Sequence, residues 1–328
     1  MSLKNSLLLT SSLLFAPTLL LAAGTAHAEV PNVVVSIKPI HSLVASIMQG
    51  VGEPALIVEG AASPHTYSMK PSNAAALEKA NIVFWVGHGL EAFLEKPLES
   101  LGSKAKIVEL DDAPGLEKLK FREGGAFEAH DDGDEHEAGA EGHAHGEAGH
   151  HHDEGEFDLH LWLDPANAKT MAAEIEKTLA AADPANAAAY KANLDALNTR
   201  LAALDKSLAE TVAPIKDKPF IVFHDAYQYF EHRYQVKVAG SITVSPETLP
   251  GAARLKQIHE KIVELGATCV FAEPQFEPKL VNVVLEGTSA KSGTLDPEAA
   301  TLEAGPDLYF QLMDGIGTSL KTCLSNGS

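Results

Sequence analysis

The chain reads as an α/β protein of two lobes, each with a mostly parallel sheet flanked by helices, joined by one long rigid linking helix. Three observations predict this. Short, continuously apolar runs alternate with helical patterns, the signature of parallel strands covered on both faces. The alternation occurs twice, once in each half of the chain. Between the halves runs a single amphipathic stripe, too long for a helix of either lobe alone. A length of 328 residues suits one large or two medium domains. The expected boundaries are 1–28 for a targeting segment, 29–182 for the first lobe, 183–213 for the linking helix and 214–328 for the second lobe.

In the first lobe, Val33 to Ile37 is a β-branched strand, and Ser42 to Met48 is helical after Lys38-Pro39-Ile40-His41. Ala55 to Val58 reads as the second strand, followed by a long loop over Gly60 to Ser72 and a helix over Ala74 to Lys79. Ile82 to Val86 is the third strand, closed by Gly87-His88-Gly89. Glu91 to Ser100 is a helix and Lys106 to Leu110 the fourth strand. Asp164-Pro165 starts a helix running to Ala182.

Asp183-Pro184 starts the linking helix. Tyr190, Leu194, Leu197, Leu201, Leu204 and Leu208 recur at steps of four and three, and no breaker stands before Pro214. Such a helix spans about 40 Å. A coiled-coil dimer is the rival, but the stripe is short and lacks flanking charge patterns, so a monomer is expected. The second lobe then repeats the pattern. Phe220 to Phe223 ends at His224-Asp225, Val236 to Ile242 is a strand, and Pro250 to Leu265 is a helix. Cys269 to Ala272 ends at Glu273-Pro274, Pro278 to Glu286 is a helix, Gly293 to Leu295 ends at Asp296-Pro297, and Asp307 to Leu320 is the last helix.

The N-terminus carries Lys4, an apolar run from Leu7 to Leu21 and the cleavage-like Ala26-His27-Ala28. The expectation is export, with the mature soluble chain starting near Glu29. A membrane anchor is the alternative, which Pro17 and the Ser11-Ser12 pair argue against. In an oxidising compartment, Cys269 and Cys323 most simply form one disulfide, with two buried thiols as the alternative.

Formal charge is −20, and 13 of the 45 acids lie between Glu123 and Asp158, where there is no Lys or Arg. With no basic cluster, nucleic acid is excluded as a partner. The segment 124–156 is a run of Gly, Ala, acid and His with almost no aliphatic residues, so it is expected to be a disordered loop. It holds His130, His136, His143, His145, His150, His151 and His152. A tract of imidazole and carboxylate reads as metal-binding, here as an auxiliary low-affinity collector or sensor. A solubilising insert that binds metal incidentally is the alternative. Imidazole must be neutral to ligate, so binding should weaken as pH falls through about 6.5.

Three further histidines stand where ligands bind in open α/β sheets, beyond the carboxyl ends of strands. His65 lies in the loop after the second strand, His160 follows the acidic tract, and His224 ends a strand of the second lobe. A lone histidine at a strand end is usually a cap or core residue. Three of them, drawn from both halves beside a His-rich tract, point to one metal in a cleft between the lobes.

The motifs Pro64-His65-Thr66-Tyr67, His160-Leu161-Trp162-Leu163-Asp164-Pro165, His224-Asp225-Ala226-Tyr227, Phe271-Ala272-Glu273-Pro274-Gln275 and Gly293-Thr294-Leu295-Asp296-Pro297 occur in order across the mature chain. Together they resemble the metal-binding (cluster A-I) solute-binding proteins of ABC transporters, and the His-rich acidic loop narrows this to the zinc-uptake, ZnuA-like type. The resemblance implies a periplasmic receptor that holds Zn²⁺ as its transported substrate and delivers it to a membrane ABC permease. It implies His65, His160 and His224 as ligands. Some zinc-type relatives carry an acid directly before the first histidine, where this chain has Pro64. Asp296 matches an aspartate that binds metal in other members, so the fourth position falls to Asp296 or to water, with helix capping as the alternative for Asp296. His41 and Glu273 are expected as structural or hydrogen-bonding neighbours. Three imidazoles and one oxygen suit Zn²⁺, whereas a manganese receptor of the same fold would use more carboxylate.

Two other classes fit less well. A zinc hydrolase also has three histidines and an open position, but the chain has no H-E-x-x-H motif, nucleophile elbow or phosphate loop, so no enzyme activity is expected. Surface adhesion would suit a lipid-attached chain, and the residue at the expected cut is Glu29 rather than cysteine.

Overall fold

The computed structural model describes residues 30–122, 126–127, 157–243, 245–246, 249–266 and 269–325. The expected targeting segment and the histidines from His130 to His152 lie outside these residues.

Strand β1 (Val33–Val35) is followed by α1 (Lys38–Ile47), β2 (Ala55–Leu56), α2 (Pro71–Lys79), β3 (Ile82–Trp85), α3 (Glu95–Leu101) and β4 (Lys106–Glu109). All pairings are parallel and the strand order is β2-β1-β3-β4. Two helices follow, α4 (Pro165–Ala182) and α5 (Ala187–Val212). The second half runs β5 (Pro219–His224), α6 (Gln228–Tyr234), β6 (Lys237–Thr243), α7 (Ala252–Leu265), β7 (Cys269–Ala272), α8 (Lys279–Leu285), β8 (Lys291–Thr294) and α9 (Leu308–Ser325). Its sheet is again all parallel, in the order β6-β5-β7-β8. The two lobes therefore share one topology. In each, the chain reverses direction of travel between the first and third strands, which makes that gap the ligand-binding switch point.

Local chemistry sets the helix starts. Pro165 occupies the first turn of α4, and the Asp164 side chain accepts from the Ala166 amide at 2.7 Å, capping it. Helix α1 begins at Lys38, before the expected Ser42, with Pro39 in its first turn. Asp183 ends α4 instead of starting α5, since its carboxylate accepts from Asn186 and from the Tyr190 hydroxyl across the turn. The short α6 is an addition to the expected elements.

The stripe on α5 is buried along its whole length, from Tyr190 to Val212. It packs against α1 and α4 of the first half and α9 of the second, so the long helix ties the halves together. A single hydrophobic core runs through both lobes and includes Val34, Phe84, Trp162, Leu201, Phe220, Phe271 and Tyr309. A smaller core under α7 and α8 covers the other face of the second sheet, with Ile221, Ile258, Val270 and Val284. Polar ties also cross between the halves. The Tyr309 hydroxyl donates to the Trp162 carbonyl at 2.7 Å, and Ser46 donates to the Pro306 carbonyl at 3.0 Å. Cys269 at the start of β7 is disulfide-bonded to Cys323 on α9.

Both ends of the acidic tract are tied down. Lys120 and Phe157 form an isolated antiparallel bridge. On the way in, Arg122 pairs with Asp225 and Glu231 of the second half, and the Ala126 carbonyl accepts from the Ser241 amide and from Arg254. Ala126 lies so close over Gly240 that a side chain there would collide with it, which is why β6 has glycine at that point.

Candidate metal centre

His65, His160 and His224 converge. One ring nitrogen of each lies within 4.8 Å of the others. Each is placed by a different element. His65 sits in the single 3₁₀ turn Pro64–Thr66, whose start is capped by the Ser63 hydroxyl accepting from the His65 amide. His160 precedes the 3₁₀ turn Leu161–Leu163 that leads into α4. His224 is the last residue of β5, beside the switch point of the second sheet.

The orientation of two rings is fixed from behind. Asp158 Oδ1 lies 2.7 Å from His160 Nδ1 and also accepts from the His160 amide at 3.0 Å. Both Glu273 oxygens lie 2.7 Å from His224 Nδ1. Glu273 follows β7, the strand next to β5 across the switch point, so the topology itself supplies this pair. An ionised carboxylate only accepts, so each Nδ1 carries the hydrogen and each Nε2 presents a lone pair. Those Nε2 atoms face one another at 3.3 Å. Burial pulls the His224 imidazole down, but the Glu273 carboxylate, with Asp225 and Asp158 nearby, pushes it above its ordinary value.

The geometry matches a metal site. Bonds of about 2.0–2.1 Å in a tetrahedral centre put neighbouring ligand atoms about 3.3–3.4 Å apart. The His160–His224 separation is such an edge. The carboxylate-backed imidazole is also the usual arrangement behind a ligating histidine. Among the described residues, the centre binds a divalent cation through this three-histidine face. The second candidate grouping, Glu109, Asp111 and Asp112, is a half-exposed acidic cluster beside Lys118.

Other expected residues sit elsewhere. Asp296, expected as fourth ligand with water or a capping role as alternatives, is not in the group that converges within 4.8 Å. Its carboxylate is occupied: Oδ1 accepts from Gln275 Nε2 at 3.1 Å, from the Ala300 amide at 3.0 Å and from the Glu298 amide at 3.4 Å. It caps its own turn. His41, on α1, hydrogen-bonds the Pro54 carbonyl at 3.0 Å and is structural. Glu273 is the hydrogen-bonding neighbour expected of it.

One residue was missed. Glu298 is 5% exposed, and its Oε1 is 3.7 Å from His65 Nε2. Burial, with Glu273 and Asp296 close by, pushes its carboxyl well above the usual carboxylate range. Nothing in the local sequence Asp296-Pro297-Glu298 distinguishes it from a solvated turn acid.

Comparisons with known proteins agree with the site. Residues 33–323 match the family model described as "Zinc-uptake complex component A periplasmic". The chain is 56% identical over 309 residues to the high-affinity zinc uptake system protein ZnuA of Brucella suis, covering 90% of this chain and 92% of that protein. A crystal structure of ZnuA superposes with a TM-score of 0.70 at 26% identity, covering 91% of this chain and 99% of the other. A ZnuA deletion mutant with zinc bound matches with a TM-score of 0.70 at 26% identity, covering 90% and 98%. Nine-tenths of the chain is covered, and the three convergent histidines stand within the matched span. The chain therefore belongs to the family of periplasmic A components of zinc-uptake complexes, which are binding and transport proteins and not enzymes.

Proposed function

We propose that this protein captures one Zn²⁺ between its lobes through His65, His160 and His224 and hands the ion, as substrate, to a membrane ABC permease for import. The observation that carries this reading is the opposed pair of Nε2 atoms on His160 and His224. Three imidazoles form a donor set that favours zinc over manganese or magnesium, which prefer carboxylate and water oxygens. The zinc-bound ZnuA structure of similar fold supports zinc as the cargo. The protein works as an exported monomer with a mature chain from about Glu29. The tract at 124–156 serves as an auxiliary, low-affinity collector through His130, His136, His143, His145, His150, His151 and His152.

Zinc titration of the intact chain, of a deletion of 124–156 and of His160→Ala tests this. One tight site survives the deletion, the weaker sites vanish with it, and the substitution strongly weakens the tight site. Loss of the tight site on deletion would reverse the roles of cleft and tract.

A further inference from the structure

The three histidines leave the cation without an oxygen donor, and Asp296 is engaged by its own turn. The remaining carboxylates near the centre differ in where they point. Asp158 and Glu273 stand behind the rings, at Nδ1, on the side away from the opposed Nε2 atoms. Glu298, which like Asp296 is outside the group converging within 4.8 Å, has its Oε1 3.7 Å from His65 Nε2. Its other oxygen, Oε2, is buried and has no hydrogen-bond partner among the described residues. Burying a carboxylate oxygen with nothing to bind is costly, and a cation is the natural relief.

The turn that presents Glu298 is built with unusual care. Asp296 accepts from the amides of Glu298, Ala300 and Thr301. From the first half of the chain, Trp162 Nε1 donates to the Pro297 carbonyl at 2.8 Å. The buried Lys38 ammonium donates to the carbonyls of Ala299, Ala300 and Leu302 at 3.0, 3.0 and 2.8 Å. Ala299, next to Glu298, is fully buried with φ +58°, a left-handed conformation that is unfavourable for a residue with a Cβ. Strain of this kind persists where surrounding structure over-determines it, and it clusters at binding sites.

We propose that Glu298 is the oxygen ligand that completes the three-histidine site, and that Asp296 holds the turn that presents it. The Oε1–His65 spacing is a few tenths of an ångström wider than a tetrahedral edge, but Glu298 is not within 4.8 Å of all three ring nitrogens, so ligation requires its side chain to rotate inward toward His160 and His224. The assignment rests on the three-histidine reading and deepens it: the binding set becomes three nitrogens and one buried carboxylate, with Lys38 and Trp162 as positioning residues that fix its approach.

The test uses the full mature chain with Zn²⁺ in chelator competition and with Co²⁺ as a spectroscopic probe. Glu298→Gln keeps the shape of the side chain and removes the anionic donor. It should weaken the tight site at least as much as loss of an outer-shell partner does, about 10–100-fold. It should also shift the cobalt d–d bands, because the coordination set changes, while the metal-free protein keeps its melting temperature or gains slightly. Asp296→Asn should lower the melting temperature but retain the cobalt bands. Wild-type affinity and spectrum in Glu298→Gln, beside a weakened His160→Ala, overturns the assignment of Glu298 alone. A tight site that survives His160→Ala overturns the three-histidine reading itself. Band shifts in Asp296→Asn with none in Glu298→Gln return the ligand to Asp296.

Discussion

His160 and His224 meet Nε2 to Nε2 at 3.3 Å, and each has its Nδ1 bound to a buried carboxylate. Two acceptor lone pairs at that distance repel unless a proton or a metal ion lies between them. The rings cannot turn away, because Asp158 and Glu273 hold them from behind. The protein is thus preorganised for a cation: the cost of bringing the two lone pairs together is met when the chain folds and is recovered on binding.

This arrangement makes the carboxylates behind the rings functional. Glu273→Gln and Asp158→Asn should each weaken the tight zinc site by about 10–100-fold, although neither touches the ion. Competition against a chromophoric zinc chelator measures it. Unchanged affinity in both variants would mean the rings are held by packing alone.

Much of this site was legible in the sequence and part was not. The strands showed as apolar runs, and the strand-end position of His224 and the loop position of His65 after the second strand followed from them. Glu273 stood out for the same reason, at the end of β7. Glu298 did not, because only the tertiary approach of its turn to His65 makes it a site residue. Helix α1 starts four residues early because Lys38, a residue that ordinarily favours solvent, finds three carbonyl partners across the lobe interface. Helix α6 was missed because its seven residues bury only Tyr229, Phe230 and Tyr234, too few turns to show a period.

A pH-dependent loss of stability should appear in the first lobe. Glu91 is fully buried, with Oε2 accepting from the Val86 and Gly87 amides at 2.8 and 3.0 Å. Burial raises its carboxyl to about 7, against the opposing hydrogen bonds. The unfolded chain releases this proton near the ordinary value of 4.5, so between there and about 7 the native state binds more protons. Stability contributed by the protonated group is complete below pH 4.5 and is lost as pH rises through 7. Glu91→Gln cannot titrate. In metal-free protein, denaturant titrations from pH 4.5 to 8 should show wild type losing on the order of 3 kcal/mol relative to Glu91→Gln. A flat difference would show that Glu91 is charged throughout.

Zinc release should not open the lobes widely. Helix α5 packs against α1, α4 and α9, and one apolar core crosses the interface. Lobe motion is the default only where an interface is small and polar. With 124–156 deleted, small-angle scattering should give nearly the same radius of gyration with and without zinc. A large increase on zinc removal would show that the shared core parts, and the helix would then be a hinge.

The disulfide and the metal site should prove separable. Cys269 begins β7, whereas Glu273 follows its far end, so the bridge to α9 starts at the opposite end of the strand from Glu273 and the His224 it holds. The bridge closes a sequence separation of 54 residues. Restricting a loop of that size in the unfolded chain contributes about 2–4 kcal/mol in most proteins. Double substitution to serine, Cys269→Ser with Cys323→Ser, should lower the unfolding free energy of the metal-free protein, read from denaturant titration, by that amount. Serine leaves one small polar group at the fully buried position 269 and another at the half-buried position 323, so the loss belongs at the upper end of the range. Zinc affinity should remain within a factor of a few, because β5 still pairs with β6 and β7 and still carries His224 beside Glu273. Saturating zinc should then restore part of the lost stability by mass action, to the same extent as in wild type. A drop in affinity that tracks the drop in stability would mean that α9 transmits its position to the site, through Tyr309 and its bond to the Trp162 carbonyl.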